Sequence, residues 1–458
     1  MLNFWDYNVW GSLNLFAILL ISLLAANLLK KFVPGLKASL IPSSVLGGGI
    51  LIIVAGIYKL ITRQVMFDTT FFGGNGTANL ELITYHCLAL GFIASAFKSS
   101  EGQMTKQRTT EIFNTGVTTV ATYLLQAVLG FSISLIVCLF IKDFFPAAGV
   151  LLPFGYGQGT GQALNYGGIY ENQFGFVGGK SFGLTIAALG FLSASFGGVI
   201  HLNLLRRKGI IAPHAHTAEK ISSEQIQAEN EIPMQESIDK LTVQVALITA
   251  AYMIAYFMMS ALGSLLPGMK SVIFGFNFLL GVLSATMIRS LLLFLNRKQI
   301  IRRSQINDFL MTRASNFFYD LMVVAGVAAI RLDILENYWG IILIMGVVGL
   351  FSTYFYNKFV ACALFKEYPE EQFLMMYGML TGTASTGVIL LREIDSEFKT
   401  PAADNMVYQN FPAIVFGFPL MLLATLAPVR PILTLIILIG FFLVMNLILF
   451  RSFIFRKK

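Results

Sequence analysis

Apolar runs of about 20 residues recur along the whole chain, each long enough to cross a bilayer as a helix. The pattern predicts spans at about 10–29, 40–60, 81–97, 112–141 and 178–205. Six more follow at about 241–266, 271–295, 312–331, 337–364, 404–428 and 431–450. A polar stretch from Arg206 to Lys240 divides the two sets; its residues 209–240 carry six acidic side chains against two lysines.

Two glycine-rich runs break this pattern, one late in each half. The first is Gly155-Tyr156-Gly157-Gln158-Gly159-Thr160-Gly161-Gln162, with six glycines between Gly155 and Gly168. The second runs from Gly378 to Gly387 through Thr381-Gly382-Thr383-Ala384-Ser385-Thr386. Glycine weakens a helix by about 1 kcal/mol relative to alanine, so the first run does not stay helical across the membrane. Lipid penalises irregular backbone unless protein or a water-filled cavity surrounds it. Paired interruptions at corresponding places in two halves therefore point to a transporter binding site. The expectation is a re-entrant segment at about 146–170 and another at about 370–393.

A hairpin tip near the midplane offers backbone N–H groups and a positive helix terminus to an anion. The expected substrate-binding residues are Gln158, Gly159, Thr160, Gly161, Gln162 and Asn165, with Thr381, Gly382, Thr383, Ser385 and Thr386. Hydroxyls are hard oxygen ligands, so a sodium ion is assigned to Thr160, Thr383 and Ser385, together with the intramembrane Asp320. Close helix packing explains Gly47-Gly48-Gly49 and Gly197-Gly198 well. It explains the two interruptions poorly, because packing needs no polar side chains between the glycines.

Composition and charge set the environment. The chain has 458 residues, is 56% hydrophobic and 12% charged, and has a mean hydropathy of +0.73. The formal charge of +8 is gathered in clusters at span ends, so it marks topology and not a nucleic-acid surface. Lys30, Lys31 and Lys37 follow the first span, Lys98, Lys106 and Arg108 the third, and Arg206, Arg207 and Lys208 the fifth. Arg297, Lys298, Arg302 and Arg303 follow the seventh, and Arg451, Arg456, Lys457 and Lys458 form the tail. All fall on one side if the N-terminus is outside and the C-terminus cytoplasmic; Lys59 with Arg63 is the exception. No positive region precedes the first apolar run, which reads as a span and not a signal peptide. Cys87, Cys138 and Cys362 read as buried hydrophobes, His86 as a packing residue, and His214 with His216 as solvated linker. Nothing matches a P-loop, a catalytic triad or a Cys-x-x-Cys site, so no enzyme activity is expected.

Five spans and an interruption are thus followed by five of opposite polarity. The predicted fold class is an all-α membrane protein of two inverted five-helix repeats, 1–205 and 241–428. They are joined by the cytoplasmic linker 206–240 and followed by an eleventh span and basic tail, 429–458. Ala89-Leu90-Gly91-Phe92-Ile93-Ala94 echoes Val324-Ala325-Gly326-Val327-Ala328-Ala329, and Gly159-Thr160 echoes Gly382-Thr383.

At these residues the chain resembles the sodium/glutamate symporter family over most of 10–428. The likeness rests on the Ile41-Pro42 to Gly49 segment and the alanine/glycine stretch of the third span. It continues through Gly157-Gln158-Gly159-Thr160-Gly161, the helix reaching Gly197-Gly198, and the run from Gly378. Family members commonly have histidine where Gln158 stands, and their second loop is poorer in hydroxyls than this one. The resemblance implies sodium-driven glutamate uptake across a bacterial inner membrane by a homodimer working as an elevator. A sodium- or proton-coupled carrier of another organic anion, such as a di- or tricarboxylate, fits the same residues, and a channel is a further alternative.

Overall fold

Helix boundaries in the computed structural model follow the polar punctuation of the chain. The structure describes residues 3–98, 105–210, 231–234, 238–267, 270–275, 277–335, 338–395 and 399–454. It is 82% helical, and among the described residues there are no strands. In chain order the helices of the first half are α1 (Tyr7–Phe32), α2 (Pro34–Ala38), α3 (Ser43–Thr62), α4 (Gly76–Ala96), α5 (Lys106–Phe140), α6 (Leu151–Tyr156), α7 (Thr160–Phe174) and α8 (Gly179–Arg207). Then come α9 (Lys240–Leu265), α10 (Lys270–Gly275), α11 (Asn277–Arg297), α12 (Asp308–Ala328), α13 (Trp339–Leu364), α14 (Pro369–Thr381) and α15 (Ala384–Arg392). The chain ends with α16 (Ala402–Tyr408), α17 (Asn410–Leu426), α18 (Pro431–Leu449) and α19 (Arg451–Ile454).

Caps explain where several begin. Asp6 accepts from Asn8 N at 3.1 Å, Thr105 from Arg108 N at 3.2 Å and Asp239 from Leu241 N at 2.8 Å. Proline opens α14 and α18, where its missing N–H costs nothing. Lys30 and Lys31 close α1 against its negative end.

Among the described residues, nine helices are long and apolar enough to cross a membrane: α1, α3, α4, α5, α8, α9, α11, α13 and α18. The pair Ala402–Tyr408 and Pro412–Leu426 passes the same test together across a 54° bend. The span expected at 312–331 is α12, which holds Asp308, Arg313 and Asp320 in 21 residues and is not one of the nine. The chain is an all-α, multi-pass membrane protein.

By its contacts the chain divides into two units. The first comprises Met1–Glu81, Gln103–His214 and Val323–Lys458; the second comprises Leu82–Gly102 and Ala215–Met322. In the first, the 35-residue α5 is the axis, about 52 Å long at 1.5 Å per residue. It packs on α6, α13, α17 and α18, while α13 packs on α8 and α14, and α7 lies along α8. The last crossing helix, α18, sheathes α5 with a stripe of Thr434, Leu438, Met445 and Leu449. Just beyond it, Arg451 bonds Asn114 Oδ1 at 2.9 Å and lies over the Phe113 ring.

The second unit has its own core of Ile93, Ala94, Phe97, Ile248, Ala251, Ala285, Met311 and Ala314. Its buried Lys240 pairs with Glu231 at 2.7 Å, and Asn307 Nδ2 donates to the same carboxylate at 2.6 Å. His86 Nδ1 meets the Tyr252 hydroxyl at 2.7 Å.

Candidate functional site

Both glycine runs break a helix in two. The first separates α6 from α7 at Gly157–Gly159, and the second separates α14 from α15 at Gly382 and Thr383. Gly159 has φ +79° and ψ −170°, a conformation open to glycine and rarely to other residues. Gly382 (φ −142°) and Thr383 (φ −137°, ψ 169°) have negative φ, and Thr383 is extended. After the second break the chain folds back: a Cβ placed on Gly378 would lie 2.7 Å from Gly387 Cα, so α14 and α15 touch backbone to backbone. Across the first break the Phe154 and Tyr166 rings stack at 3.9 Å between centroids.

The two breaks meet. A Cβ built on Gly159 would lie 3.6 Å from both the Gly382 carbonyl oxygen and Thr383 Cγ2. One built on Gly190 of α8 would lie 2.4 Å from the Thr381 carbonyl oxygen. The N-termini of α7 and α15 are therefore brought to one place, and neither has a side-chain cap. The first N–H groups of each helix lack intrahelical acceptors by construction. Around them lie polar side chains with unspent capacity. Thr160 is fully buried and its Oγ1 has no hydrogen-bond partner among the described residues. It rests against Gly326 of α12, whose lack of a side chain makes the room. Gln162 is buried with Nε2 unpartnered, while its Oε1 accepts from Asn165 Nδ2 at 3.3 Å. Thr381 Oγ1 donates to Tyr377 O at 2.6 Å, and the Thr383 and Thr386 hydroxyls share a bond of 3.3 Å.

The structure thus gathers Gly159, Thr160, Gly382, Thr383 and Thr386 at the meeting point. Gly161 and Gln162 follow on the first turn of α7, with Gln158 and Asn165 half-buried nearby in sequence. Ser385 stands in the first turn of α15, and its side chain lies outside the described residues. Asp320 stands on the part of α12 that belongs to the second unit, and it is exposed. His214 and His216 lie outside the described residues. No cluster of three His, Cys, Asp or Glu side chains suited to a metal occurs among the described residues. The oxygens gathered here belong to hydroxyls, a side-chain amide and backbone carbonyls.

Several residues that hold the breaks carry no motif. Tyr156 donates to the Gly346 carbonyl of α13 at 2.6 Å and shares a 2.9 Å bond with Ser193 Oγ. Tyr377 donates to Ser193 O at 2.8 Å. Gln126, fully buried on α5, sends Nε2 to the Leu380 carbonyl at 2.9 Å and to Thr353 Oγ1 at 2.8 Å. Its signal was a lone amide among Leu124, Leu125, Ala127 and Val128, the type of intramembrane polar residue that serves function by default. Each break is thereby tied to a long helix of the opposite half: Tyr156 to α13, Leu380 to α5.

At its other end α14 is fastened by charge. His201 Nε2 meets Glu370 Oε2 at 2.8 Å while its Nδ1 meets the Tyr354 hydroxyl at 2.7 Å, and Lys358 Nζ donates to the same carboxylate. The bond from His201, reinforced by Lys358, holds the Glu370 carboxyl down at about 2. Beside it Tyr368 donates to Glu111 at 2.8 Å, and Arg108 bridges Glu111 and Asn405. No family model matches this chain, and no curated protein matches it.

Proposed function

We propose that this chain is a secondary transporter coupling sodium entry to the uptake of glutamate or a related anionic amino acid. The observation that carries the reading is the meeting of two uncapped helix N-termini, from opposite halves of an apolar chain, beside a buried and unpartnered threonine hydroxyl. Two positive helix ends suit carboxylates. The hydroxyls of Thr160, Thr383 and Ser385 and the carbonyls at the breaks supply oxygen for sodium. If the ion orders the break that completes the substrate site, each ligand prepays ordering needed by the other, which is coupling.

An inverted repeat with two re-entrant hairpins is supported by reciprocity. The packing of α5 on α17 and of α13 on α8 are contacts that exchanging the halves would interchange, as are the ties of Tyr156 and Gln126. The basic clusters favour an N-terminus outside a bacterial inner membrane. Elevator movement and a homodimer are the working assembly under this reading. Paired helix ends equally suit a di- or tricarboxylate, which competition assays separate from glutamate.

The test is labelled glutamate uptake into proteoliposomes with an inward sodium gradient, against a sodium-free potassium control. Hydrogen bonds to charged groups contribute about 1.5–3 kcal/mol, so Thr160→Val and Thr383→Val should each weaken uptake about 10- to 100-fold in apparent affinity. Sodium-dependent uptake unchanged in both variants would remove the breaks as the site. No uptake by folded wild type would reject glutamate.

A further inference from the structure

We propose that the paired ends of α1 and α3 bind the headgroup of a phospholipid that carries a primary ammonium. A cavity of about 700 Å³ opens where α1 begins and α3 ends, lined by Tyr7, Tyr58 and Phe71 together with Asp68, Gln64 and Thr70. The ends of crossing helices lie at the depth of lipid headgroups, where tyrosine is enriched. Tyr7 and Phe71 are each about half exposed, with ring centroids 6.2 Å apart.

The wall that carries these groups is firmly seated. Asn14 Nδ2 of α1 donates to Phe71 O at 2.9 Å, and a Cβ placed on Gly11 would lie 2.5 Å from Gly73 Cα, so the loop after α3 rests directly on α1. Asp68 Oδ1 accepts from Thr77 N at 3.0 Å, in the first turn of α4. That bond fixes the carboxylate, and its second oxygen accepts no hydrogen bond among the described residues. The lining holds this one carboxylate and no basic side chain. A carboxylate among aromatic rings suits an ammonium, which is drawn by the charge and by the ring quadrupoles. Gln64 and Thr70 add oxygens that accept from the N–H groups of a primary ammonium, whereas a quaternary one has none to give.

The same site accounts for the exception in the charge pattern. Lys59 and Arg63, at the end of α3, are the basic residues that depart from the positive-inside rule. Arg63 is exposed and immediately precedes Gln64 of the lining, so a positive residue borders a cavity that itself has none. With the ammonium in the cavity and the phosphate on Arg63, both charges of the headgroup are matched. The lipid comes from the outer leaflet under the orientation proposed above; the site itself rests neither on that orientation nor on transport.

The competing role for these rings is an interfacial belt that anchors the helices without selecting a lipid. Asp68→Asn separates the two, because asparagine keeps the rings and the acceptor for Thr77 N while removing the charge. The experiment is native mass spectrometry of the full chain in detergent micelles doped with equal amounts of phosphatidylethanolamine and phosphatidylglycerol, which share the phosphate but not the ammonium. Wild type should retain phosphatidylethanolamine in preference, and Asp68→Asn and Tyr58→Leu should each lower that preference about tenfold. Arg63→Gln should lower retention of both lipids. If Tyr58→Leu fails to fold, Asp68→Asn and Arg63→Gln decide alone. Equal retention of the two lipids by wild type, or a preference that Asp68→Asn leaves unchanged, overturns the site. Displacement of the bound lipid by an equimolar amount of free phosphoethanolamine would assign the cavity to a soluble ligand and overturn the lipid.

Discussion

The first break turns on glycine and is rooted in aromatic rings; the second turns on threonine and is rooted in charge. Near the first, Phe145 stacks on Phe176 at 4.7 Å, and Phe176 meets Phe182 and Tyr338 edge-on. At the root of the second, Glu370 is gripped by His201 and Lys358, and Tyr368 by Glu111 and Asn405. Aromatic packing responds little to ions or pH, whereas a carboxylate between two basic side chains responds to both. Under the proposed transport function, the first half would supply a fixed wall and the second an adjustable one.

The largest expected effect tests the glycine side of that contrast. Gly159→Ala meets no steric bar, since the nearest atoms would lie 3.6 Å from the new Cβ. Its cost is conformational, about 1–3 kcal/mol for a side chain forced into this region. That cost falls on the local geometry of the tip, so uptake should drop at least about tenfold while helical circular dichroism is retained. Gly382→Ala fails differently: Thr386 Oγ1 would stand at 3.0 Å and the Gly378 carbonyl oxygen and Phe191 Cδ1 at 3.1 Å each, so its cost is steric and falls partly on backbone. It should therefore lower stability as well as uptake. Equal losses in the two variants would erase the distinction between the breaks.

Much of this was legible beforehand, and the limits are instructive. Hydropathy located the crossing helices because each span meets lipid on its own account. It placed α12 among them although Asp308, Arg313 and Asp320 set that helix apart, because the apolar run from Leu321 to Ile330 follows those charges directly. Glycine and threonine marked the breaks because backbone rules act locally. What joins the breaks was hidden. Tyr156 finds Gly346 and Gln126 finds Leu380 across the whole middle of the chain, and no local pattern records such a partner. His201 is one polar residue in an apolar run, and Glu370 opens the expected re-entrant segment with no local mark of its partner. The packing of α18 on α5 was equally invisible, since its apolar residues surround the helix on all sides.

The next effect tests the charged side. Glu370 has its carboxyl held at about 2 in the folded chain, against an ordinary value near 4.5. A carboxyl depressed on folding contributes stability that is complete above the ordinary value and is lost as pH falls from about 4.5 toward 2. Glu370→Gln should melt several degrees lower at pH 7, because His201 and Lys358 lose their shared anion. Between pH 5 and pH 3 its melting temperature should then fall less than that of wild type, and the two curves should converge. Parallel curves would mean that the ion pair does not fasten the second hairpin.

The smallest effect asks whether the first break depends on its one strong hydrogen bond or on packing. Tyr156→Phe deletes the donor to Gly346 O and the contact with Ser193 while leaving the ring against Gly349. Gly346 lies inside α13, so its carbonyl keeps a helical N–H and is not stranded. Ser193 Oγ, on α8, can turn back to a carbonyl of its own helix. The loss should therefore be about 1 kcal/mol, the net worth of an ordinary buried hydrogen bond, and the sodium response should be unchanged. Chemical denaturation of the two proteins in the same detergent measures it. A loss several times larger would show that the aromatic root does not hold the break unaided, and that the first wall, like the second, is fastened by polar ties.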